Sequence, residues 1–105
     1  MPFATPLDRA THFMRHGTDF GCASEIEYEQ LAEQFLFGAI GVDTRECIRP
    51  NGNDRLRFKR VDRDFGVACV APIFIRTYYK VSLLKIQRRG GPNGFFAYEC
   101  ARINL

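Results

Sequence analysis

The chain has 105 residues, 46% hydrophobic and 13% aromatic, with ten Phe and no Trp. That is the size of one domain, with enough apolar material for a packed core, and it excludes a disordered tail. Fifteen Lys and Arg against twelve Asp and Glu leave a formal charge of +3, a mild excess that suits a polyanionic partner without requiring one.

Leu7, Ala10, Phe13 and Met14 recur at helical spacing, with Pro6 and Asp8 as start residues and Gly17 offering a left-handed cap, so a first helix is predicted over 7–16. Ser24 and Glu27 form an S-x-x-E capping box. Ile26, Leu31, Ala32, Phe35 and Leu36 then make the apolar stripe of a second helix ending at Gly38. From residue 44 the period changes to two. TRECIRP and RLRFKRVD, joined through Asn51-Gly52, predict a hairpin, and FGVACVAP and IFIRTYYKV predict two further strands. QRRGGPNG reads as a loop, and FFAYECARINL as a closing helix or an edge strand. The expected architecture is α+β, a single domain over 1–105 with two N-terminal helices on an antiparallel meander of about four strands.

Cys22, Cys47, Cys69 and Cys100 are scattered, with no C-x-x-C pair, so reduced and mostly buried thiols are expected. No apolar run approaches the roughly 18–20 residues of a membrane span, and no export signal opens the chain, so no membrane partner and a cytoplasmic site of action are expected.

Chemistry-bearing residues fall into three groups. In a strand over 55–61, Arg55, Arg57 and Lys59 point one way while Leu56, Phe58 and Arg60 point the other, so one face is a ladder of cations. Such a ladder either solvates an exposed strand or tracks a phosphodiester backbone. Arg60 and, in the last strand, Arg76 extend this candidate phosphate-binding set. In IFIRTYYK, alternation puts Thr77 and Tyr79 on one face with Ile73 and Ile75, where a hydroxyl and a phenol either meet solvent or donate to a phosphate. His12 and His16 lie one helical turn apart beside Arg15, the arrangement of a helix C-terminal electrostatic cap or of a ligand-binding cluster. Neither an H-E-x-x-H nor a Cys/His grouping supplies a third ligand, so no metal and no cofactor are expected.

The segment HFMRHGTDFGCASEIEYEQLAEQFL resembles the opening of the bacterial and phage ribonuclease-toxin domains of the barnase, EndoU, colicin and RelE type. In that family an H-F-x-K-H-G-x-x-F-G segment precedes a helix with an S-x-x-E-Y-x-x-x-A pattern. Here these are His12, Phe13, Arg15, His16, Gly17, Phe20 and Gly21, then Ser24, Glu27, Tyr28 and Ala32. RFKRVDRDFGVACVAPIFIRTYYKV is similar to the family's hairpin with an F-G-V strand and a closing T-x-F/Y strand. The resemblance spans about residues 10 to 81; Arg15 departs from the usual Lys, and 39–54 matches nothing in the pattern. It implies metal-independent cleavage of RNA, tRNA in the colicin branch, by attack of the 2′-OH to leave a 2′,3′-cyclic phosphate. Carried over, the proton carrier is His12 or His16, with His12 preferred and His16 and Arg15 in support; Arg57 and Lys59 hold the phosphate, and Thr77 and Tyr79 orient it. A cognate immunity protein or antitoxin is a further implied partner, as is delivery within a larger secreted toxin. Two other readings stay open: a non-catalytic RNA- or protein-binding domain that keeps the fold, and an adaptor that binds a partner through the acidic helix 25–33.

Overall fold

In the computed structural model of the chain, residues 3–103 are described. The order is α1 (Pro6–His16), a 3₁₀ turn (Gly17–Phe20), α2 (Glu25–Phe37), β1 (Thr44–Ile48), β2 (Asp54–Lys59), β3 (Asp64–Val70), β4 (Ile73–Lys80), α3 (Leu83–Arg88) and α4 (Pro92–Ala101). The strands form one antiparallel sheet in the order β1-β2-β3-β4, the meander expected of an α+β chain. The closing segment is a helix rather than an edge strand, and its predicted last two residues, 104 and 105, lie outside the described residues.

Local chemistry explains most boundaries. Thr5 caps α1, its hydroxyl accepting from the Asp8 N–H at 3.1 Å, with Pro6 in the first turn. Gly17 does not end this helix in a left-handed cap: its φ is −59°, the chain tightens into the 3₁₀ turn, and Gly21 takes the left-handed conformation at φ 66°. Gly17 is required for space instead, since a Cβ there would stand 2.5 Å from the Phe13 ring. Ser24 caps α2 by accepting from the Glu27 N–H at 3.2 Å. The buried stripe of α2 is Tyr28, Ala32 and Leu36, at a spacing of four, with Leu31 and Phe35 partly buried beside it; Ala32 and Leu36 stand as expected, Tyr28 joins them, and Ile26 is 49% exposed instead of facing the core. The Tyr28 hydroxyl donates to the Tyr78 carbonyl, joining α2 to β4.

Both faces of the sheet are covered. On one, α1 and α2 pack Tyr28, Ala32 and Leu36 against Ala68, Ile75 and Tyr78; on the other, α3 and α4 pack Ile86, Phe95 and Phe96 against Leu56, Phe58, Phe65 and Val67. Each large side chain so buried contributes about 1.5–3 kcal/mol relative to exposure.

Two departures from the sequence expectation bear on function. In the β3–β4 ladder Val67 pairs with Thr77 but Ala68 pairs with Ile75, so Arg76 is an extra residue in β4. This bulge reverses the alternation. Ile75 turns toward α2, while Thr77 and Tyr79, opposite Val67 and Phe65, face the α3–α4 side. The second departure is covalent: Cys47 and Cys100 form a disulfide, their Cα atoms 6.2 Å apart, tying β1 to α4, and only Cys22 and Cys69 are free thiols. Among the described residues no helix is long and apolar enough to cross a membrane.

Candidate active site

Helix α1 lies against β4, where Phe3 bridges to Ile75. The His12 ring stacks on Phe3 at 5.2 Å and the His16 ring stacks on Tyr79 at 5.3 Å, with 6.1 Å between the two imidazoles. Burial pulls both below the ordinary histidine value of 6.5. For His12, the neighbouring His16 and Arg15 add to this and Asp8 opposes it. For His16, Asp19 opposes and Arg15 adds. Both rings are therefore mostly neutral at pH 7, each with a nitrogen able to accept a proton. His12 Nδ1 is buried with no hydrogen-bond partner among the described residues, whereas His16 is the imidazole that reaches a hydroxyl-bearing residue.

Tyr79 is the hub of the cluster. Lys85 Nζ donates to its phenolic oxygen at 3.0 Å and lies 5.1 Å from its ring centroid. Lys85 comes from α3, where its own N–H is capped by the Ser82 hydroxyl at 3.2 Å. Beside Tyr79 opens a cavity of about 200 Å³, floored by Phe65 and Val67 and walled by Thr77. Its polar rim is an ion network that the sequence did not suggest. Arg49, 3% exposed, donates through Nε to the Glu99 carbonyl at 2.8 Å and through Nη2 to Glu99 Oε1 at 2.9 Å. It also lies 3.6 Å from Asp54, a fully buried carboxylate that Arg76 reaches at 2.9 Å, while Arg102 reaches Glu99 at 3.2 Å. Burial pulls the Arg49 guanidinium below its ordinary value and Arg102 adds to this, with Glu99 and Asp54 opposing. Three guanidiniums against two carboxylates leave the rim one positive charge.

The predicted ladder occupies a different place. Arg55, Arg57 and Lys59 do share a face of β2, but the C-terminal turn of α2 covers it. Arg57 donates to the Phe35 carbonyl at 3.2 Å and the Gly38 carbonyl at 2.6 Å, and Arg55 to the Leu36 carbonyl at 3.4 Å. The unpaired carbonyls of a helix end attract cations, so Arg55 and Arg57 cap α2. Each also meets a carboxylate: Arg55 and Arg57 pair with Glu46, Lys59 with Asp62, and Arg60 with Asp43. Of the sequence candidates, His16 and Tyr79 are in contact, with His12 beside His16; Thr77 and Arg76 line the adjoining cavity. Arg15 is exposed on α1 with no carboxylate partner among the described residues, and Arg55, Arg57, Lys59 and Arg60 are engaged elsewhere.

Lys85, Arg49, Glu99 and Arg102 join the site without having been singled out. For Lys85 the signal was present, a cation three positions after Ser82, which follows the end of β4. For Arg49 and Glu99 none was, because burial of a charge pair 50 residues apart leaves no local pattern. No protein-family model matches the chain, and no curated protein matches it either.

Proposed function

We propose that the protein is an endoribonuclease needing no metal, with tRNA as the substrate class that the resemblance implies, and with its reacting groups centred on Tyr79. The observation that carries this reading is the contact of a neutral, partly buried imidazole with a phenol held by an ammonium group: His16 on Tyr79, and Lys85 on the Tyr79 oxygen. General acid–base cleavage of a phosphodiester needs a base, an acid and positive charge within one small space.

In the proposed reaction His16 takes the ribose 2′-OH proton as that oxygen bonds to phosphorus. The bond from phosphorus to the 5′ oxygen breaks, and that oxygen receives the Tyr79 proton. Lys85 stabilises the phenolate until the proton held by His16 returns through solvent. The products are a 2′,3′-cyclic phosphate and a 5′-hydroxyl. Thr77 and the arginine rim, with its single excess charge, receive the nonbridging oxygens. The proton role thus falls to His16 rather than to His12, whose ring stacks on Phe3 away from the phenol. A cognate acidic inhibitor covering this basic surface accords with the same reading.

Incubation of the purified protein with total tRNA in EDTA, followed by denaturing electrophoresis and analysis of fragment ends, tests the proposal. Discrete fragments with cyclic phosphate ends are expected, with losses of roughly 10²–10⁴-fold for His16→Ala and for Tyr79→Phe. RNA that is bound but left intact by the wild type would favour the non-catalytic binding domain.

A further inference from the structure

Resting on that reading, we infer that Lys85, Arg88 and Arg89, with Tyr98, form a subsite for the phosphodiester backbone of single-stranded RNA flanking the cleaved bond. Among the described residues, nine of the fifteen Lys and Arg stand within 4 Å of a carboxylate. Of the six described ones that do not, three fall within residues 85–89. All three are exposed and, with Ser82 and Leu84, line an open cleft of about 500 Å³. A cluster of cations with no neighbouring carboxylate raises the local positive potential and is available to a polyanion.

The geometry continues from the candidate active site. Lys85 is the residue that touches the Tyr79 oxygen; Arg88 follows three positions on, on the same side of the helix and about one turn away, and Arg89 is the residue that caps the helix end. That turn is about 5–6 Å between neighbouring side-chain roots, of the order of the step from one phosphate to the next along an extended strand. Gly90 and Gly91, at φ 84° and 102°, reverse the chain so that α4 runs back beside α3. This brings Tyr98 under Arg89, whose guanidinium carbon lies 3.5 Å from the ring centroid. Tyr98 is 41% exposed. A planar guanidinium stacked on an exposed ring is a platform for a nucleobase as well as a phosphate ligand. Buried Glu99, next in α4, is already held by Arg49 and Arg102 and does not neutralise the cluster.

The test is fluorescence anisotropy with a 2′-O-methyl single-stranded oligoribonucleotide, which binds without being cut, titrated at several salt concentrations. Wild type is compared with Arg88→Gln/Arg89→Gln and with a control in which two carboxylate-paired cations are changed, Lys59→Gln/Arg60→Gln. The α3 variant is expected to bind more weakly and to lose about 1.4 from the slope of log K against log salt, about 0.7 for each phosphate contact; the control keeps both. With cleavable RNA the α3 variant raises KM and holds kcat. Unchanged affinity and slope in the α3 variant would overturn the subsite while leaving cleavage at His16 standing. RNA bound through Arg88 and Arg89 but never cut by the wild type would sustain the subsite and sink the nuclease reading. Loss of binding to anionic phospholipid vesicles with no change toward RNA would reassign the cluster, with exposed Leu83 and Leu84, to a membrane surface and overturn the inference.

Discussion

Replacing Arg49 by alanine tests whether the buried ion network holds the wall of the site. The guanidinium makes two charge-assisted hydrogen bonds to Glu99, at 2.8 and 2.9 Å, and an ion pair with Asp54 at 3.6 Å, all nearly out of contact with water. Removing one member of a buried pair costs about 3–5 kcal/mol, because the partner charge stays in a poorly solvating medium. Here each carboxylate keeps a second partner, Arg102 for Glu99 and Arg76 for Asp54, which sets the expectation at the low end, about 3 kcal/mol. Against a typical total of about 5–15 kcal/mol this is a large fraction. Equilibrium urea unfolding measures it: at a slope of about 1–3 kcal/mol per molar, the midpoint falls by about 1–3 M with the slope unchanged. The double variant Arg49→Met/Glu99→Leu, which removes both charges, recovers part of the loss. An Arg49→Ala protein within about 0.5 kcal/mol of wild type would refute the reasoning, since that is the range of an ordinary surface substitution.

Stability also depends on pH through the two histidines. Burial holds both below 6.5, so on acidification the unfolded chain takes up protons that the folded chain resists, and stability falls as pH drops from 6.5 toward 5. Thermal melts across that window should show the decline, and a His12→Gln/His16→Gln variant should flatten it. Reducing the Cys47–Cys100 bond, or replacing both residues with Ser, frees a loop of 53 residues and should lower unfolding free energy by about 4 kcal/mol in urea titrations. An unchanged midpoint after confirmed reduction would contradict this. Arg57→Ala should destabilise by about 2–3 kcal/mol, as carbonyls at the α2 terminus and Glu46 lose their donor, yet leave RNA affinity unchanged. A fall in RNA affinity with stability intact would return the β2 ladder to the role read from the sequence.

How far the sequence reached depends on whether the deciding interaction is local. The Ser24 cap, the Asn51-Gly52 turn and the strand alternation of β2 act over a few residues, and the helices and meander follow from them. The face of Arg55, Arg57 and Lys59 was legible for the same reason. What covers that face was not, because the carbonyls of α2 arrive from about 20 residues away. In β4 strict alternation placed Thr77 and Tyr79 with Ile75, and the one-residue bulge at Arg76 moved them to the other side. Gly17 was legible as the end of α1, but its right-handed conformation beside the close Phe13 ring, with the left-handed turn deferred to Gly21, was not. The pairing of Cys47 with Cys100, like that of Arg49 with Glu99, is a product of tertiary closure between the sheet edge and α4. Arg88 and Arg89 were passed over because QRRGG reads as a loop, whereas Ser82 caps a short helix that carries Lys85 and Arg88 and has Arg89 at its end.

The most direct measurement uses a defined oligoribonucleotide cut by the protein and the same oligonucleotide carrying one 2′-deoxy residue on the 5′ side of the cut bond, each followed with wild type, His12→Ala and His16→Ala. The deoxy substitution is expected to abolish cleavage at that bond, His16→Ala to lower the rate by roughly 10²–10⁴-fold, and His12→Ala to have the smaller effect. Cleavage that survives the deoxy substitution, or that depends on His12 and not on His16, would contradict an active site built on His16, Tyr79 and Lys85.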